Sequence, residues 1–134
     1  MNDLEIKCIA SAFYESYNRK DLEESFNNFI APDLINYTMD GTLDREEWLN
    51  FDKAFLAACP NLELTVKEQF VDGNRIVTHW TCSGTHAGEF FGMNATGNTI
   101  KLTGISIDAI ENGKIKEHLA MADFTQFMTQ FIKK

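Results

Sequence analysis

The sequence predicts an α+β domain, and three observations carry that expectation. Apolar residues recur at helical spacing as far as Pro60. From Leu62 onward the period falls to two, the alternation of half-buried strands. The helices come first and the strands afterwards, an order that separates α+β folds from parallel sheets with interleaved helices. With 134 residues, 44% of them hydrophobic, the chain is long enough to bury one core and too short for two.

Leu4, Cys8 and Ala12, with Ile6, Ile9, Phe13 and Tyr17, lie three and four apart and predict one helix from Asp3 to about Tyr17. Asp21 is placed to cap a short second helix whose Leu22, Ser25, Phe26 and Phe29 face inward and which must stop near Pro32. Leu34–Thr38 reads as a short strand closed by Asp40-Gly41. Asp44 and Glu47 form an aspartate version of the capping box, opening a third helix with Trp48, Phe51, Phe55 and Leu56 on its stripe until Cys59-Pro60.

Leu62–Lys67 alternates, and Asp72-Gly73-Asn74 turns it into Arg75–Ser83 as an antiparallel hairpin. Gly84, Gly88, Gly92 and Gly97 make the stretch up to Thr99 a bent or bulged region. Ile100–Ile110 and Lys114–Ala122 pair about Glu111-Asn112-Gly113, and Phe124, Phe127, Met128 and Phe131 suggest a closing helix. Without repeat, low-complexity tract or linker, residues 1–134 read as a single domain.

The charge balance of 12 Lys+Arg against 20 Asp+Glu gives −8, which argues against nucleic acid or an anionic membrane as partner. No apolar run is long enough to span a bilayer, and Met1–Lys7 lacks the features of a secretory signal, so the expected location is cytoplasmic. Cys8, Cys59 and Cys82 are far apart with no Cys/His clustering, which fits reduced thiols and no metal site. No GxSxG, P-loop, zincin HExxH or dinucleotide-type glycine turn is present.

Asp123 is the only acid in the apolar run Leu119–Phe127, where a desolvated carboxyl would serve as a general base. An aspartate between a strand and a helix is equally a preferred N-cap. His86, between Gly84 and Gly88, is a candidate to face a cavity or to bond a backbone carbonyl. His79 and Trp80 lie on opposite faces of one strand, and either could point inward. His118 reads as a surface partner of Glu117. Tyr17, Trp48 and Trp80, each with a polar handle, are the better candidates to line a pocket for an apolar or aromatic small molecule, with Phe55 also expected there and Phe13, Phe51, Phe90 and Phe91 serving pocket or core. Asn36 and Tyr37 could donate to a carbonyl or enolate oxygen.

The run from Cys82 to Phe90, Ala95-Thr96-Gly97-Asn98, Gly104-Ile105-Ser106-Ile107 and Asn112 to His118, ending at Asp123, resembles the SnoaL-like polyketide cyclases and ester cyclases. Asn18-Arg19-Lys20-Asp21 and Asp44-Arg45-Glu46-Glu47 extend the resemblance over nearly the whole chain. It implies a nuclear transport factor 2-like cone, N-terminal helices packed in a strongly curved antiparallel sheet around an internal pocket, commonly as a homodimer. It also implies a carboxylate that moves a proton next to a carbonyl without metal or cofactor, for aldol-type cyclisation or isomerisation. Asp123 matches that carboxylate, with Asn36, His79 or His86 expected to hold the oxyanion. A binding or dimerisation module of the same fold is the other expectation.

Overall fold

The computed structural model describes residues 1–132 of the chain. Helix α1 (Asp3–Ser16) runs into a 3₁₀ turn at Tyr17–Arg19, then come α2 (Leu22–Phe29), β1 (Ile30–Thr38), β2 (Gly41–Asp44) and α3 (Arg45–Ala58). Strands β3 (Glu63–Asp72), β4 (Arg75–Thr85), β5 (Thr99–Glu111) and β6 (Lys114–Ala122) follow, and α4 (Phe124–Thr129) closes the fold. The expected caps form, Asp44 making a two-way capping box with Glu47 and Asp21 accepting from the backbone of Glu24; Asn2 makes a further capping box that was not anticipated.

The six strands make one sheet in the order β2-β1-β6-β5-β4-β3. The expected all-antiparallel sheet is corrected at one seam, because β1 runs parallel to β6. Those two strands are joined through α3 and four further strands, so no tight turn constrains their relative direction. Strand β1 also begins at Ile30, four residues before the expected start, with Pro32 inside it, and β2 was not anticipated. Its Gly41–Asp44 is an edge strand paired only with β1.

Helices α1, α2 and α3 pack against one face of the sheet. Phe13, Phe26 and Trp48 meet edge to face there, with centroids 4.9–5.7 Å apart. The Asn18 amide accepts from the backbone N–H of Leu64 at 2.7 Å and donates to its carbonyl at 2.9 Å, tying the end of α1 to β3. Ser11 and Gln69 make a second tie at 3.0 Å. No helix among the described residues is long and apolar enough to cross a membrane.

Candidate active site

Cross-strand register builds the site. Ile76 on β4 pairs with Asp108 on β5, Asp108 with His118 on β6, and His118 with Asn36 on β1, forming one row across the sheet. Neighbours in such a row share a face, and all four residues are buried. The next row holds Thr78, Ser106 and Ala120, and the one beyond it Trp80, Gly104 and Ala122. The polar groups of this inner face therefore come from different strands and are adjacent only in the folded sheet.

Asp108 is fully buried and accepts two hydrogen bonds, from Tyr14 Oη at 2.5 Å and from His118 Nδ1 at 2.6 Å. A buried carboxylate is tolerated when donors replace its lost water, and two do so here. Burial and the neighbouring Asp108 push the Tyr14 phenol well above its ordinary value, so it stays a donor. With Nδ1 engaged by the carboxylate, His118 is held in the tautomer whose Nε2 carries a free lone pair. Among the described residues neither His118 Nε2 nor the Asn36 side chain has a hydrogen-bond partner, and neither is sealed from open space.

Two aromatic groups fix the surroundings. The Trp48 indole stacks on the His118 ring, 4.2 Å between centroids and 18° between planes. Trp80 lies across β5 and donates from Nε1 to Ser106 Oγ at 2.7 Å. It can do so because residue 104 is glycine: a Cβ there would stand 2.3 Å from the indole ring.

A second carboxyl, Asp52 on α3, accepts a hydrogen bond from Tyr17 Oη. Burial raises its pKa to about 6, outweighing the opposing effects of Tyr17, His118 and Trp48. Part of the residue reaches the surface, yet its carboxyl sits among protein atoms. The same burial, with Asp52 beside it, raises Tyr17 well above the ordinary phenol range. Two tyrosine–aspartate pairs thus face one interior, Tyr14 and Tyr17 being three apart on a single helical face.

Of the residues expected from sequence, Tyr17, Asn36, Trp48 and Trp80 lie in or against this cluster. Phe55 packs beside it on Phe90 and Phe127. Asp123 does not join: it is exposed and accepts from the backbone N–H of Gln126 at 3.0 Å, the cap of α4. It borders a groove of about 570 Å³ with Thr99, Lys101, Leu102 and Gln130, none of which belongs to the cluster. The apolar residues around it in sequence point elsewhere, Met121 and Phe124 into solvent and Phe127 into the core.

His79 is on the outer face, 3.6 Å from Glu68, so Trp80 is the inward member of that pair. His86 is buried at the far end of β4, its Nδ1 2.9 Å from Thr96 Oγ1 and its ring edge-on to Phe131. It has no contact with the Asp108 network.

His118 is the main correction, because the surface pair expected with Glu117 is replaced by full participation in the buried row. The cause is a bulge. Ile110 pairs with Ile115 while Ala109 pairs with Glu117, so β6 carries one extra residue and its inward positions change from Ile115 to His118. Asp108, Tyr14 and Asp52 were not anticipated. The available signals were an acid at the same strand parity as Ser106 in the apolar run Ile105–Ile110, a second tyrosine one turn before Tyr17, and an acid one turn after Trp48.

A curved sheet wrapped over N-terminal helices, with polar groups on its inner face, is the nuclear transport factor 2-like cone. The family model described as SnoaL-like polyketide cyclase matches residues 7–131, and the chain belongs to that family. Solved structures agree. AclR, a candidate hydroxylase from Streptomyces galilaeus, superposes with a TM-score of 0.89 at 24% identity over 97% of each chain. IdmH, a candidate polyketide cyclase from Streptomyces antibioticus, does so at 0.79 with 27% identity over 93% of this chain and 96% of its own. TsrD from Streptomyces laurentii gives 0.84 at 21% identity over 98% and 97%. No curated protein sequence matches the chain.

Proposed function

We propose that this protein moves a proton at a carbon next to a carbonyl, in an aldol-type cyclisation or isomerisation of an apolar, neutral small molecule, with the Asp108–His118 pair as its base. The observation that carries the reading is Asp108 holding His118 Nδ1 while Nε2 is left unpartnered beside the equally unpartnered Asn36 amide. A carboxylate that orients an imidazole in this way leaves its second nitrogen as a proton acceptor. The Asn36 amide is the group available to donate to a developing oxyanion. Trp48, Trp80 and Phe13 are buried beside this cluster, and such apolar surroundings strengthen these bonds. The family supports the reaction class, since the matching model is that of a polyketide cyclase. Asp123 is assigned to holding α4 instead of to proton transfer.

The test follows exchange of the protons next to the carbonyl of 2-tetralone in deuterated water by proton NMR. The wild-type protein should speed the exchange, and His118→Ala and Asp108→Asn should not. Equal rates in all three would end the proposal.

The outer face of the sheet favours a homodimer. Tyr37, Leu119, Ile107, Val77 and Phe70 form one register row across five strands, Tyr37 and Phe70 being substantially exposed. The Arg75–Glu117 ion pair and the His79–Glu68 contact flank it, and Arg75 with Glu117 brings both charge signs, which suits a self-complementary contact. Sedimentation velocity should return twice the chain mass for the wild type and one chain mass for Ile107→Lys. A monomeric wild type would remove the second copy from the picture.

A further inference from the structure

The proton-transfer pair leaves the second carboxyl of the interior without a task. Asp52 is one turn beyond Trp48 on α3, and Trp48 stacks on His118, so the same helix face presents an acid near the ring that bears the free nitrogen. Its hydrogen-bond donor is Tyr17, in the 3₁₀ turn that follows α1 and three residues after the Tyr14 that serves Asp108. Asp52 is also the member of the network that reaches the surface. Among the described residues, the titratable groups facing Asp52 and its Tyr17 partner are Tyr14 from α1, His118 from β6, Asp108 from β5 and Cys82 from β4, with no lysine or arginine among them. An anionic ligand would meet two carboxyl groups here and no fixed cation to pair with, whereas a neutral carbonyl compound needs none.

We propose that Asp52, held by Tyr17, is the acid of this site, giving its proton to the carbonyl oxygen of a neutral ketone while His118 takes one from the adjacent carbon. This rests on the proton-transfer reading above. In the step the C–H bond breaks and its proton goes to His118 Nε2. The released electron pair forms the carbon–carbon double bond, and the former carbonyl π pair binds the Asp52 proton as an enol hydroxyl. Asp52 is left as a carboxylate that Tyr17 stabilises, and His118 as an imidazolium that Asp108 stabilises, so no net charge enters or leaves. The two aspartates differ in what surrounds them: Asp108 is held by two donors, Tyr14 and His118, whereas burial outweighs the Tyr17 hydrogen bond at Asp52 and keeps the proton on its carboxyl.

The experiment uses the whole chain and 2-tetralone as the probe. Carboxyl-carbon NMR, with the Asp52 signal assigned by its loss in Asp52→Asn, is followed from about pH 4 to 8 with and without the ketone. Asp52 should titrate near 6 and the ketone should raise that midpoint, because the protonated form is the one that binds it. A midpoint in the ordinary carboxylate range, or one that the ketone leaves unmoved, overturns the assignment. In the exchange assay, Asp52→Asn should be slower by about 100-fold at pH 5.5 and should lose the fall in rate above pH 6, while Asp52→Glu should restore both. An Asp52→Asn profile like that of the wild type also overturns it. The two readings separate cleanly. A wild type that moves the Asp52 midpoint but catalyses no exchange sinks proton abstraction and keeps Asp52 as a ligand donor. Exchange that needs His118 but not Asp52 does the reverse.

Discussion

Asp108 and Asp123 belong to two regions with opposite characters, the inner row of the cone and its rim. Asp108 lies in the middle of a strand with neighbours on both sides, fully buried, its oxygens shared between Tyr14 and His118. Asp123 lies where β6 ends and α4 begins, exposed, with its side chain spent on one backbone amide. The rim also holds the loop from His86 to Asn98, where Phe91 and Gly92 take positive φ in a two-residue turn closed by Phe90 and Met93. The lesson is that a carboxylate acquires a chemical task from what surrounds it in three dimensions. An apolar stretch of sequence is no guarantee of such surroundings.

The largest expected effect breaks the inner row without removing its shape. Asp108→Asn should leave far-ultraviolet circular dichroism unchanged but force His118 into the other tautomer, cutting ketone exchange by about 10³- to 10⁴-fold. Exchange within tenfold of wild type would mean that His118 does not depend on its carboxylate. Asp108→Ala goes further, leaving the Tyr14 hydroxyl and the buried His118 Nδ1 unpaired. Urea unfolding should show a loss of about 2–5 kcal/mol, the scale for leaving two buried donors without an acceptor.

Asp52 sharpens the comparison through pH. Its pKa rises from 3.8 unfolded to about 6 folded, so the native state binds the proton more tightly. The contribution to stability is then fully present below about pH 4 and is lost as pH rises through 6. At about 1.4 kcal/mol per pKa unit the loss is at most about 3 kcal/mol. Asp52→Asn, which cannot ionise, should melt higher than wild type at pH 8 and show no such gain at pH 4. Equal differences at both pH values would contradict the burial of this carboxyl.

Smaller changes are expected at the rim. Asp123→Ala should cost about 1 kcal/mol, the usual worth of an N-cap, with ketone exchange unaltered. A large loss of exchange at intact stability would return Asp123 to the catalytic role that the family resemblance implies. Phe91 has φ of +46°, a conformation that asparagine tolerates far better than phenylalanine. Phe91→Asn should therefore be close to neutral or stabilising by about 0.5–1 kcal/mol, with the lost contact to Phe51 working against the gain. A clear drop in melting temperature would mean that the exposed Phe51–Phe91 contact outweighs the backbone strain.

The helices, their caps and the two long hairpins were legible because each rests on signals a few residues apart. Asp21 and Asp44 cap as local geometry requires, and Lys114–Ala122 has the expected bounds. The aromatic candidates Tyr17, Trp48 and Trp80 were found for the same reason, since large amphipathic rings on an inward stripe must be buried. The site itself was only half legible. Its polar members come from α1, α3, β1, β5 and β6, and no local pattern links Tyr14, Asp52, Asp108 and His118.

The sequence by itself determined the α+β class, the order of the helices and of every strand but β2, and the family, because helical period, strand alternation and turn chemistry are short-range properties. Only the tertiary structure decided which carboxylates face the interior. The bulge in β6 sets His118 beside Asp108, and the parallel seam brings in Asn36. The packing of α1 and α3 onto the sheet delivers the two tyrosines and Asp52. These are long-range registers, and a shift of one residue in any of them would turn the same side chains to the opposite face.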